Sequence, residues 1–97
     1  MIVFILLHKF SRKTANTANI AVKNTNVKHI YFIISKETYN IDKKLLKIRD
    51  KNPNKISFFR HNRRGIKGAW LQCMEIAIKK NSNFLIFEND IVPTNFF

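Results

Sequence analysis

The chain is predicted to fold as an α/β domain, a three-layer sandwich built around a mostly parallel sheet. Three observations carry that expectation. Short β-branched and aromatic runs alternate with helical stretches along the whole length. The first run, Ile2–Leu7, is apolar at every position, as in a strand buried on both faces. With only 2 Gly and 2 Pro in 97 residues, a turn-dense all-β fold is disfavoured. A β-α-β-α-β-α-β alternation implies parallel strands joined by right-handed crossover helices. The expected strand order is 3-2-1-4, with the first strand inside the sheet.

The elements follow in order. After Ile2–Leu7, Ser11 is a helix N-cap candidate, since its hydroxyl can accept from free amides of a first turn. Lys13–Lys23 reads as a weak helix with Ala15, Ala18 and Val22 on one stripe, its propensity lowered by Thr and Asn. Lys28–Ile34 is the second strand and Ser35–Asn40 a loop. Ile41–Arg49 is a short helix with Ile41, Leu45 and Ile48 on one face, and Asn52-Pro53-Asn54 is a turn. Ile56–Arg60 is the third strand. The best helical pattern runs from about Ile66 to Lys80, with Ile66, Ala69, Trp70, Cys73, Met74 and Ala77 expected on the buried stripe. Asn83–Phe87 is the fourth strand, and Ile91-Val92-Pro93 is extended because a residue before proline avoids the helical region.

Length limits the chain to a single domain over residues 1–97. Its 45% hydrophobic content is enough to fold. One cysteine excludes an internal disulfide, and nothing points to an oxidising compartment. Ile2–Leu7 is too short to span a membrane and has neither a basic leader nor a small-residue cleavage site, so no transmembrane segment and a cytoplasmic location are expected. The net charge of +12 invites a nucleic-acid or other polyanion partner. Lys, Asn, Ile and Phe supply 48 of the 97 residues, however, a bias that an AT-rich genome produces without selecting for binding. Ten of the 18 basic residues nevertheless fall between Lys43 and Lys67, and that clustering keeps a polyanion in view.

In an open parallel sheet, ligands bind beyond the carboxyl ends of the strands. Four segments reach that edge here: His8–Arg12, Ser35–Thr38, Arg60–Lys67 and Glu88–Asp90. The last is the most informative, because two carboxylates directly follow an apolar strand. Hard oxygen ligands at that place can hold Mg²⁺ or Mn²⁺ against a diphosphate. Spacing alone favours a polar turn over a metal site, since acid-x-Asp triplets are common.

The wider context adds to this. Phe84-Leu85-Ile86-Phe87-Glu88-Asn89-Asp90-Ile91-Val92-Pro93-Thr94-Asn95-Phe96-Phe97 resembles the segment of GT-A glycosyltransferases in which an apolar strand is followed by E-D-D, I-V-P and x-x-F-F. Asn62-Arg63-Arg64-Gly65-Ile66-Lys67-Gly68-Ala69 and a helix precede it at the family's distance, and the opening strand leads into a basic loop with Arg12 near a helix start. The resemblance covers the family's Rossmann-like nucleotide-binding half. It implies binding of a nucleotide-diphosphate sugar through Mn²⁺ or Mg²⁺, for sugar transfer to an acceptor hydroxyl. Asp90 corresponds to the last carboxylate of the DXD-type motif and would ligate the metal. Glu88 corresponds to the first and would meet the donor ribose or sugar, or the metal through water. His8, Arg12 and Ser35 would lie along the nucleotide, and Arg63, Arg64 and Lys67 beside its phosphates. Gly65 and Gly68 would let the backbone approach at a helix start.

Three departures from the family pattern stand out. Asn89 replaces a middle acid, Ser35-Lys36-Glu37 stands where an acid often reads the base or ribose, and the Asn-to-Gly spacing is longer. The acceptor half and any catalytic base would lie beyond Phe97, so the chain reads as an incomplete or inactive member. The alternative is a non-catalytic basic module that binds nucleic acid or another polyanion.

The remaining conspicuous residues read as structural. His8, His29 and His61 lack metal-ligand spacing. Cys73, Trp70 and Phe58-Phe59 read as core. An open edge at the fourth strand and a partly covered sheet lead us to expect self-association.

Overall fold

The computed structural model describes residues 1–7, 12–34, 41, 43–60 and 65–88. It contains β1 (Ile2–Leu7), α1 (Arg12–Lys23), β2 (His29–Ile34), α2 (Lys43–Lys51), β3 (Ile56–Arg60), α3 (Gly65–Lys80) and β4 (Phe84–Glu88). The sheet is four-stranded and wholly parallel in the order β3-β2-β1-β4. This is the predicted α/β class and strand order, and helix and strand ends shift from expectation by two residues at most. Among the described residues, no helix is long and apolar enough to cross a membrane.

β1 is central, and all six of its side chains are buried. Alternation divides them between two cores. Val3, Ile5 and Leu7 join Ile30, Phe32 and Ile34 of β2 under α1 and α2, where Ala15, Ala18, Ala21 and Leu45 meet them. Ile2, Phe4 and Leu6 face the other way, with Ile33, and meet Ala69, Cys73 and Ala77 of α3. Phe32 stacks on Phe58 at 5.1 Å, and Phe4 stacks on Tyr31 at 5.6 Å.

Side chains close several element ends. Lys55 Nζ donates to the Val22 and Asn24 carbonyls (2.8 and 3.0 Å), tying the start of β3 to the end of α1, where a cation suits the helix dipole. Asn52 Nδ2 donates to the Ile48 carbonyl at 2.9 Å and closes α2 ahead of the Pro53 turn. At the end of α3, Asn81 has a φ of 48°. The Asn81 amide donates to Ile78 and the Ser82 amide to Ala77, the paired bonds of a Schellman cap.

One expectation is corrected. Among the described side chains, the buried apolar stripe of α3 is Ala69, Cys73 and Ala77, whereas Trp70 and Met74 are 45% and 43% exposed, and Leu71 and Ile78 are also exposed; the Ile66 side chain lies outside the described ones. Small residues at the contact bring the helix axis close to the sheet, so bulky neighbours one helical step round project beside the contact rather than into it. Phe59, also expected in the core, is exposed near the end of β3, while Phe58 is half-buried under α2.

Candidate functional site

The carboxyl ends of the strands are nearly level. Leu7 pairs with Ile34 and Ile34 with Arg60, while Glu88 lies opposite Leu6. Because β1 and β4 are adjacent, their last residues, Leu7 and Glu88, end side by side at this edge. α1, α2 and α3 each begin on this edge, and none carries an acidic residue in its first turn. Helix N-terminal amides carry partial positive charge, which favours anions along this edge.

Of the eight residues proposed from sequence to hold nucleotide sugar or metal, the structure describes three. Arg12 is the first residue of α1, Lys67 sits exposed in the first turn of α3, and Glu88 ends β4 with an exposed side chain. His8, Ser35, Arg63, Arg64 and Asp90 lie outside the described residues, as does Asn89.

Lys67 and Glu88 occupy the same corner of the fold. One flank of α3, with Gln72, Ile76 and Lys79, lines a hollow together with Tyr31 of β2 and Phe59 of β3. The opposite flank therefore faces β4, and Ile78 indeed shares a hollow with Phe84. Lys67 precedes Trp70, Met74 and Ile78 at helical spacings of three, seven and eleven, which puts it on that β4 flank.

Gly65 opens α3 with a φ of 69°, and an added Cβ would meet nothing within 4 Å. Backbone conformation rather than space thus accounts for the glycine here. Arg60 was missed as a candidate. It ends β3, exposed, three strand spacings of about 4.8 Å from Glu88, so the edge runs from a basic end to an acidic one. Its position after an apolar run was the available signal.

Cys73 is fully buried, and burial pushes its thiol up to about 12, so it is no nucleophile at neutral pH. His29 is held below the usual histidine range by burial, with help from the Lys80 charge, against a hydrogen bond to the Asn54 backbone. Its Nε2 lies 2.8 Å from Ser57 Oγ at the amino end of the sheet, away from the candidate edge. Among the described residues, no three His, Cys, Asp or Glu side chains cluster as a metal site.

On the outer side of α1 and α2, Asn16, Asn19, Lys44 and Lys47 line an open groove of about 450 Å³. Lys43, Lys44, Lys47 and Lys51 are exposed along α2. No family model matches the chain, and no curated protein matches it.

Proposed function

We propose that the chain binds a nucleotide-diphosphate sugar through Mn²⁺ or Mg²⁺ at the carboxyl edge of β1 and β4, as a GT-A glycosyltransferase-like domain. The observation that carries this reading is the adjacency of β1 and β4 in a 3-2-1-4 parallel sheet, with Glu88 exposed beside the end of β1. Brought together with the resemblance of the Glu88-Asn89-Asp90 segment, it supports a ligand lying across that edge. An exposed carboxylate on a strand end fits a hard, partly hydrated cation, which takes oxygen donors and keeps several waters. Asp90 and Glu88 would hold it, and the cation would offset diphosphate charge. Lys67 would reach the phosphates from the β4 corner, with Arg63 and Arg64 acting from the preceding segment. His8, Arg12 and Ser35 would flank the nucleotide. Transfer of the sugar to an acceptor hydroxyl is the reaction the resemblance implies.

A second reading has its own support. The exposed lysines of α2 and the groove it forms with α1 suit a nucleic acid or another polyanion.

Calorimetric titration of uridine diphosphate sugar with and without Mn²⁺, on wild type and Asp90→Asn, separates the two. The first reading expects binding that needs Mn²⁺ and is largely lost in Asp90→Asn, with a smaller loss when Arg63 and Arg64 are replaced. Equal binding in all four conditions rejects it. The basic module instead expects metal-independent binding of oligonucleotide that falls steeply with salt and weakens in Lys44→Ala/Lys47→Ala.

A further inference from the structure

The amino end of the sheet carries a basic hollow that the nucleotide reading does not use. Lys28, His29, Tyr31, Lys80, Asn81 and Ser82 line a space of about 280 Å³ between the start of β2 and the end of α3. Two of these side chains are ammonium groups, and among the described residues no acid lines the space. Glu75 lies in the adjoining hollow, of about 250 Å³, which shares Tyr31 and Lys80 and adds Phe59, Gln72, Ile76 and Lys79. The pair thus joins a basic head to a body floored by Tyr31, Phe59 and Ile76. Each is smaller than the roughly 300 Å³ of the smallest ligand pockets, so one small molecule spanning both is the occupant that fits. Both lie away from the carboxyl edge of β1 and β4, on the other side of α3 from β4.

His29 belongs to the basic head. Its ring lies 4.5 Å from Tyr31, and its Nε2 lies 2.8 Å from Ser57 Oγ. Burial and the Lys80 charge disfavour its protonated form, against a hydrogen bond to the Asn54 backbone. The groups facing the ring are therefore Lys80 from α3, Ser57 and the Asn54 backbone from the β3 side, and Tyr31 from its own strand, none of them acidic. The carbonyl end of α3 carries about half a negative charge, which opposes an anion. Lys79 and Lys80 set two full charges against it, and the Asn81 and Ser82 amides occupy the Ile78 and Ala77 carbonyls.

We propose that this hollow holds the phosphoryl group of a soluble phosphate monoester, whose organic part lies along Phe59 and Ile76 in the adjoining space. A dianion answers both ammonium groups, whereas a carboxylate or a nucleic-acid diester brings a single charge. Once seated, the ester offsets Lys80 and favours the imidazolium. Binding and protonation of His29 then strengthen each other by the same factor.

Ring-proton NMR of His29 during titration with phenyl phosphate tests this. Sodium chloride at equal ionic strength is the control, since screening alone relieves the repulsion from Lys80. The ester is expected to raise the His29 pKa by roughly one unit beyond the chloride effect, the low end of what an adjacent opposite charge produces. By linkage it then binds about tenfold more tightly below that pKa than above it, counted for the dianion because the ester itself ionises near about 6. Lys28→Met and Lys80→Met are each expected to weaken binding about tenfold, the scale of one lost charged hydrogen bond, and Lys23→Met, on the α1 side, leaves it unchanged. His29→Gln keeps the binding and loses its pH dependence. Phe59→Ala brings phenyl phosphate down to the affinity of inorganic phosphate. The lysines replaced are exposed, and circular dichroism checks that every variant is folded. A His29 pKa that moves no further with phenyl phosphate than with chloride overturns the inference. So does binding that Lys28→Met and Lys80→Met leave intact, or a shift caused by phosphatidic-acid vesicles and not by the soluble ester.

Discussion

The α1/α2 layer and the α3 layer cover opposite faces of the same strands with different side chains. Under α1 and α2, two helices close over Val3, Ile5, Leu7, Phe32 and Ile34, and Phe58 and Ile48 seal the margin at β3. Above the other face a single helix meets Ile2, Phe4 and Leu6 through Ala69, Cys73 and Ala77. It covers the centre and leaves Tyr31, Phe84 and Ile86 half-buried on either side. A small-residue contact gives close approach but little breadth. The apolar surface left over on the α3 side follows from that choice of residues.

The comparison is most easily broken in the centre of the sheet. Phe32→Ala and Phe4→Ala each remove a fully buried ring, for an expected loss of about 3–5 kcal/mol. A domain of this size has little more than that in reserve. Phe32 lies under the fully covered layer, where the cavity cannot relax, so its variant is expected to lose more. Phe4 touches the half-exposed Tyr31 and Phe84, which can move into the space. Urea denaturation of both variants measures the order. If Phe4→Ala proved the more damaging, the α3 layer would be the tighter of the two.

Close approach itself is tested at Cys73. Cys73→Leu adds bulk where the helix lies nearest β1 and is expected to destabilise by about 1–3 kcal/mol. Trp70→Ala, despite deleting a much larger group, is expected to cost less, since nearly half of that side chain is already in water. Thermal denaturation ranks the pair, and the reverse ranking would mean that the indole, not the alanine stripe, anchors the helix.

The alternation of periods along the chain was enough to read the element order and a parallel sheet. It was not enough for the 3-2-1-4 order, since the same alternation also builds other doubly wound orders. Ile2–Leu7 is too short for a helix of ordinary length and apolar throughout, as a strand covered on both faces is, and the connections are long enough for crossovers. α3 was harder to read because it carries two apolar stripes. Ala69-Cys73-Ala77 and Trp70-Met74-Ile78 are both spaced by four, and periodicity does not tell which faces inward. Hydrophobicity favours the bulky stripe, whereas the sheet, already filled by Phe4 and Leu6, accepts the small one. At the candidate site, Glu88 was legible because it follows an apolar run and Lys67 because it closes a basic segment at a helix start, and the fold then brings them to one corner. Arg60 was counted in the Arg60–Lys67 edge segment but not singled out, although its place after an apolar run marked it, and the register with Ile34 then sets it level with the other strand ends. The partners of Lys55 and His29 are likewise set by strand pairing rather than by neighbours in sequence.

The smallest expected effect lies on the α3 side, at the amino end of β2. His29 is half-buried, with its ring 4.5 Å from Tyr31 and Nε2 within hydrogen-bond reach of Ser57. Burial, and then the Lys80 charge at the end of α3, lower its pKa in the folded state, opposed by the hydrogen bond to the Asn54 backbone. In the unfolded chain the ring titrates near its ordinary value of about 6.5. Between the two values the unfolded state binds more protons, so stability rises with pH across that interval. The contribution of His29 is fully present above the unfolded value, declines as pH falls toward the folded one, and does not change further below it. His29→Gln is expected to remove that part of the acid-side decline. Lys80→Met is expected to shrink it by relieving the second cause of the shift. Ring-proton NMR titration of the folded protein reads the pKa directly, alongside urea denaturation at several pH values. A folded-state pKa at or above the ordinary value would mean that the α3 side of β2 is as wet as the solvent. The half-covered margin there would then contribute nothing beyond what an exposed edge provides.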